Sequence, residues 1–249
     1  MMTTKRPCAR LLASVTSEAE ARLAAAHGAD IIDCKEPSAG ALGALPHDVV
    51  AAIRRAVPGH IPVSATIGDL PSDPELVGRA ARAMAKTGCD IVKIGFFPGG
   101  DARATVRHLG AGLAQETQLV AVLLADAPFD RGLVPALAEA RFAGVMLDTA
   151  AKDGRTLLDH RRPAELAQFV AEAQALGLMT GLAGSLRLEQ IPQLLTLAPD
   201  VLGFRGALCR ARDRRQALDA AAFAGVRRTI PITPTPAGSS TGLELEITP

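Results

Sequence analysis

Eight short apolar runs recur along this chain, and a stretch of helical periodicity follows each of them. That alternation restricts the fold more than any other feature. The runs lie at 9–15, 29–35, 61–67, 89–95, 118–126, 144–148, 178–184 and 201–206. The helix-like stretches lie near 17–27, 46–57, 73–87, 101–114, 131–142, 163–176, 188–197 and 213–224. Strands separated by helices pair in parallel, because a parallel pair needs a long crossover. Eight such units in 249 residues predict an α/β protein with a single (β/α)8 TIM barrel, which is typically about 250 residues long. An open doubly wound sheet is the competing architecture, but no Gly-x-Gly-x-x-Gly turn follows the first run. Thr16-Ser17 ahead of Glu18 and Glu20, and Pro163 at a first turn, are credible helix starts. The barrel is expected over 1–228. Residues 229–249, rich in Pro, Thr, Gly and Ser, are expected to form a short flexible tail with little to bury.

A weak internal echo agrees with the repeat. Gly28-Ala29-Asp30-Ile31-Ile32-Asp33 aligns with Gly88-Cys89-Asp90-Ile91-Val92-Lys93, and Asp200-Val201-Leu202 repeats part of it. The echo puts Asp33 and Lys93 at equivalent points of two strands.

Strand residues alternate between the two faces of a sheet, and the helix-facing side must be apolar. On the second strand Ile32 and Cys34 therefore face helices, and Asp33 and Lys35 face the barrel interior. The same argument turns Lys93 inward on the fourth strand, Asp148 on the sixth and Arg205 on the eighth. Ser64 and Thr66 point inward on the third. Lys152, in the loop after the sixth strand, can join them. These charges collect at the C-terminal ends of the strands, where barrel enzymes place their chemistry.

The lysines carry further information. The chain has 5 lysines against 22 arginines. Arg stays protonated, whereas Lys can be tuned to give a free amine. Lys5 and Lys86 read as ordinary solvated charges; Lys35, Lys93 and Lys152 sit at or just past the ends of apolar runs. One inward Asp–Lys pair could be a purely structural ion pair. Three lysines and two aspartates at one rim are harder to explain structurally, since each buried charge costs several kcal/mol of desolvation unless well paired. Burial and neighbouring cations lower a lysine pKa, and a free amine can attack a carbonyl to form a Schiff base. This is the equipment of a class I aldolase acting on small carbonyl compounds, with a second Lys or an Asp moving protons.

Leu182-Ala183-Gly184-Ser185 and Gly203-Phe204-Arg205-Gly206-Ala207 occupy the last two strand-to-helix loops, a frequent phosphate site in barrels. Gly184, Ser185, Arg205 and Gly206 are the candidate phosphate ligands, with Arg205 offering a fork that matches phosphate. Ser64 and Asp69 are candidate contacts at the rim.

Several function classes are disfavoured. A net charge of +1, no Trp or Tyr and only 7 Phe give no footprint for nucleic acid or an anionic membrane. No apolar stretch reaches the roughly 18 residues of a membrane span, and the N-terminus lacks a signal-peptide core. Cys8, Cys34, Cys89 and Cys209 are dispersed, without CxxC spacing, and read as reduced thiols of a cytoplasmic protein. The His residues fit no ligand spacing, so no metal and no cofactor are expected. The sequence leaves self-association into a homo-oligomer open.

Six motifs in order give the chain a family resemblance. They are Gly-Ala-Asp-Ile-Ile-Asp-Cys-Lys-Glu-Pro with Gly-Ala-Leu-Gly-Ala (28–37, 40–44), Val-Ser-Ala-Thr-Ile-Gly-Asp (63–69), Asp-Ile-Val-Lys-Ile-Gly (90–95), Met-Leu-Asp-Thr-Ala-Ala-Lys-Asp-Gly-Arg-Thr-Leu (146–157), Leu-Ala-Gly-Ser (182–185) and Gly-Phe-Arg-Gly-Ala-Leu-Cys (203–209). In these the sequence resembles the (5-formylfuran-3-yl)methyl phosphate synthases over about residues 10–215. The resemblance implies condensation of two glyceraldehyde 3-phosphate molecules into a furan aldehyde bearing one phosphate, with loss of phosphate and water, in methanofuran-type coenzyme biosynthesis. It implies Lys35 as the Schiff-base lysine and Lys93 as general base, with Asp33, Asp148 and Lys152 as the other polar active-site positions. The chain departs from the family pattern at Glu36, where an amide is expected, and beyond about residue 228. Two rival readings stand beside it: another class I aldolase acting on a sugar phosphate, and a non-catalytic phosphosugar-binding barrel with lysines as anion clamps.

Overall fold

The computed structural model describes residues 9–128 and 130–231. Within them, eight parallel strands close into a barrel in sequence order, β1 to β8, with β8 pairing back to β1. The strands are β1 (Arg10–Val15), β2 (Ile31–Cys34), β3 (Val63–Thr66), β4 (Ile91–Phe96), β5 (Gln118–Leu124), β6 (Gly144–Asp148), β7 (Met179–Leu182) and β8 (Val201–Phe204). The helices are α1 (Glu18–Ala26), α2 (His47–Ala56), α3 (Pro74–Ala85), α4 (Ala102–Gly110), α5 (Leu133–Glu139), α6 (Leu157–His160), α7 (Pro163–Ala175), α8 (Ile191–Leu195) and α9 (Ala220–Thr229). The predicted architecture is therefore the observed one, while Lys5, Cys8 and nearly all of the expected tail lie outside the described residues. Among the described residues no helix is long and apolar enough to cross a membrane.

The alternation read from the sequence appears as two apolar shells. Ile32, Cys34, Val92, Ile94, Val145, Leu147, Leu202 and Phe204 join the outer shell that packs against the helices. Leu12, Ile31, Ile91, Val120, Val122, Met146 and Val201 fill the barrel interior. The interior shell occupies the lower and middle levels, which leaves the upper level to polar side chains. Cys34, Cys89 and Cys209 are buried free thiols in the outer shell. Burial pushes all three thiols up, that of Cys209 to about 11, so they stay protonated and unreactive.

Helix starts follow local capping chemistry. Ser17, Asp73, Asp101 and Asp219 each accept a backbone N–H from the first turn of α1, α3, α4 and α9. Pro163 opens α7. The last helix departs from the reading at 213–224. Two short 3-10 turns, Gly206–Leu208 and Arg210–Arg212, come first, and Asp219 rather than Asp213 caps α9. Residues 213–218 instead form a loop whose carbonyls bond to Arg205. The one-turn helix α6, held by Thr156 and Asp159, was too short to show a period.

The echo has a structural meaning at the bottom of the barrel. Asp30, Asp90 and Asp200 each accept a backbone N–H from a neighbouring strand, at Leu11, Val63 and Thr180, at 2.7–2.8 Å. Arg227 and Arg54 cover the first two carboxylates. These carboxylates pin strand register at the end remote from the candidate site.

Candidate active site

At the C-terminal mouth a cavity of about 730 Å³ opens above the apolar interior, within the range that accepts small-molecule ligands. Asp33 and Lys35 reach it from β2 and the residue after it, Lys93 from β4 and Asp148 from the end of β6. Lys152 enters from the following loop, whose N–H groups at Ala150 and Ala151 are held by both oxygens of Asp126.

Two linked carboxylates organise the amines. Lys93 Nζ lies 3.0 Å from Asp33 Oδ1. Ser64 donates to the same oxygen at 2.6 Å, and Ser14 donates to Oδ2 at 2.9 Å. Asp148 serves two lysines: Lys35 Nζ at 3.1 Å from Oδ2 and Lys152 Nζ at 3.0 Å from Oδ1. Lys152 also donates to the Thr149 carbonyl at 2.6 Å. Asp33, Lys35, Lys93 and Asp148 are all buried.

The electrostatics follow from this sharing. Burial alone would raise the Asp148 pKa, but the ammonium groups of Lys152 and Lys35 outweigh it and hold the carboxyl well below the usual range. The Lys152 amine moves the other way. Burial lowers its pKa, Lys35 lowers it further, and Asp148 only partly compensates. Three lysines face two aspartates, so the cluster carries surplus positive charge. An anionic group entering the cavity would meet an unbalanced cation field.

Gly184, Ser185, Arg205 and Gly206 all line the cavity. Gly184 adopts φ +111°, and a Cβ there would sit 2.9 Å from Thr149 Cγ2. Only glycine lets this loop lie against the one that carries Lys152. Arg205, however, has all of its N–H donors engaged within the protein. It donates to the carbonyls of Ser14, Arg214 and Gln216 and to both oxygens of Glu20. Its guanidinium fastens the loop after β8 to β1 and α1. Ser64 and Asp69 do not line the cavity. Ser64 sits behind Asp33, and Asp69 accepts the N–H groups of Ala41 and Leu42, fixing the loop after β2. Glu36 accepts from Ser38 N–H and Oγ.

Four contributors escape the sequence reading. Ser14 follows the alternation of β1, inward two residues after Leu12, and was legible in principle. Glu20 read as a helix-start acid but is buried as the partner of Arg205. Asp126 and Arg214 gave no local signal, because their roles depend on the paths of distant loops.

Comparison with known proteins fits this geometry. A model of the family described as 4-HFC-P synthase matches residues 11–227. The (5-formylfuran-3-yl)methyl phosphate synthase of Methanocaldococcus jannaschii is 39% identical over 215 residues, covering 82% of this chain and 92% of that protein. A Methylorubrum extorquens protein whose name carries the same synthase is 45% identical over 216 residues, covering 86% of this chain and 89% of its own. Among solved structures, phosphoribosyl anthranilate isomerase from Thermus thermophilus superposes with a TM-score of 0.63 at 17% identity, over 88% of this chain and 97% of that one; this likeness is one of fold alone. With the match running from the first strand into the last helix, the chain belongs to the 4-HFC-P synthase family.

Proposed function

We propose that this chain is a Schiff-base carbon–oxygen lyase that builds (5-formylfuran-3-yl)methyl phosphate from two molecules of glyceraldehyde 3-phosphate, in methanofuran-type coenzyme biosynthesis. One observation carries the reading. Three lysines and two aspartates converge in one cavity, and one carboxylate is shared by two of the amines. An enamine-based condensation needs an amine to bind a carbonyl, a base to move an α-proton and cations to receive expelled phosphate. Those are the groups present. The synthase names of the relatives support the product class.

In this reading Lys35 forms the imine with one triose phosphate. Asp148 holds its amine in place before attack, and Lys152, on the other oxygen of Asp148, competes for that carboxylate's charge. Lys93, fixed by Asp33, moves the α-proton. The resulting enamine expels phosphate by β-elimination. The second triose isomerises to its ketone, so that the new carbon–carbon bond forms at its central carbon; ring closure with loss of water then leads to the furan with the retained CH2–phosphate at its 3-position. Lys152 counters phosphate or developing oxyanion charge. The cradle of Gly184, Ser185 and Gly206 holds the retained phosphate, with Arg205 positioning the loop that carries Gly206.

The test is incubation with glyceraldehyde 3-phosphate alone. A furan product absorbing in the ultraviolet is expected. A simple aldol or no product would favour another aldolase or a binding barrel. Borohydride trapping followed by peptide mapping then locates the imine, and an adduct on Lys93 would reverse the two lysine roles.

A further inference from the structure

Arg214 stands apart from the other arginines of the mouth. Arg205 is paired with Glu20, and Arg212 with Glu189. Arg187 is exposed and donates to the Gly154 carbonyl. Arg214 is half-buried, lines the cavity, and has no carboxylate within ion-pair distance among the described residues. Among the described residues its guanidinium makes a single hydrogen bond, from Nη2 to the Gly40 carbonyl at 3.1 Å, which leaves most of its fork unused. A half-buried cation with no carboxylate in direct contact is costly to keep. Burial works against its charge more than any neighbour does, and Asp148 and Asp69 offset this only in part.

Its placement is fixed from both sides. Arg205 Nε donates to the Arg214 carbonyl at 2.9 Å, tying its backbone to the fastening built on Glu20. Gly40, at the other end, belongs to the loop pinned by Asp69. The guanidinium therefore spans from the loop after β8 to the loop after β2, passing over β1. The Gly184–Ser185–Gly206 cradle is built from the loops after β7 and β8, whereas the Arg214 guanidinium reaches toward the loop after β2.

We propose that Arg214 is a specificity-determining residue, which binds the phosphate of the triose that will lose it and so selects phosphorylated over unphosphorylated aldehydes. This rests on the synthase reading above. A phosphate monoester is close to a dianion near neutral pH, and a planar guanidinium with free donors can take two of its oxygens at once. The clamp adds one charge to the surplus of the lysine cluster, on the side of the loop after β2. The two phosphates of the reacting pair would thus be held apart, with only one of them beside the amines that drive elimination.

Two measurements on wild type, Arg214→Gln and Arg214→Lys test this. The first is equilibrium dialysis of the resting protein against radiolabelled inorganic phosphate, which needs no turnover. Arg214→Gln is expected to weaken binding at least tenfold, with Arg214→Lys in between because a point charge keeps attraction but loses the fork. The second compares borohydride trapping with glyceraldehyde 3-phosphate and with glyceraldehyde. The preference for the phosphorylated aldehyde is expected to fall at least tenfold in Arg214→Gln. Unchanged phosphate affinity, or a preference equal to that of wild type, would reduce Arg214 to a strap between loops and overturn the proposal. If wild type bound phosphate through Arg214 yet made no furan, the synthase reading would fail and the clamp would stand.

Discussion

Lys35 and Lys152 donate to different oxygens of the same carboxylate, Asp148, at 3.1 and 3.0 Å. A change at one lysine is therefore felt by the other through a single buried anion.

Replacing Lys35 by Arg or Ala is expected to lower furan formation by at least about 10³-fold, since the imine-forming amine is lost. Borohydride adducts on the 28–37 segment should vanish in both variants. Lys93→Met should also slow turnover, by about 10²–10⁴-fold, yet still trap substrate. Near-normal activity of Lys35→Arg would favour a clamp rather than a Schiff base.

Asp148 gives a pH signature. Its folded-state pKa is depressed, so its ionised form contributes stability above the ordinary carboxylate value of about 4, and that contribution disappears as pH drops below it. Urea unfolding of wild type should show stability falling steeply below about pH 4. Asp148→Asn should start about 3 kcal/mol lower at neutral pH, as expected when a buried ion pair loses one partner, and should lack this part of the acid slope. Parallel pH profiles for the two proteins would refute the assignment.

The Glu20–Arg205 pair should behave as a structural fastening. Glu20→Gln and Arg205→Met are each expected to cost about 3 kcal/mol of unfolding free energy. Arg205→Lys should rescue little, because one ammonium cannot serve three carbonyls and a bidentate carboxylate. Thermal denaturation of the three variants checks this. Wild-type stability in Arg205→Lys, coupled with a large rise in KM, would restore a direct phosphate role.

Ser14 and Ser64 hold the carboxylate that holds Lys93. Each hydrogen bond to a charged group is worth about 1.5–3 kcal/mol, so Ser14→Ala and Ser64→Ala should each reduce kcat by about tenfold or more. Because both act on one Asp33, the double variant should depart from additivity. Steady-state furan formation is the readout, and unchanged kcat in Ser14→Ala would show that Asp33 is positioned by other means.

The barrel and the inner ring of charge were legible because they rest on a period of two and on the repeat of strand and helix. Asp33, Lys35, Lys93 and Asp148 needed only their parity along a strand. Ser64, Asp69 and Arg205 had the right chemistry for ligands, but their partners are set by packing between distant segments. Arg205 meets a glutamate 185 positions away, and no local pattern announces such a meeting. Residues 213–218 misled for a related reason. Their charge spacing suits a helix, yet the donors of Arg205 hold their carbonyls in an open loop.

Asp69 and Asp126 each hook two consecutive N–H groups of an adjoining loop. Both segments are thus tethered by the protein's own side chains. Proteases, which cut segments that open away from the fold, should find little slack around the mouth of the barrel. Saturating it with substrate should then change the pattern of limited digestion very little.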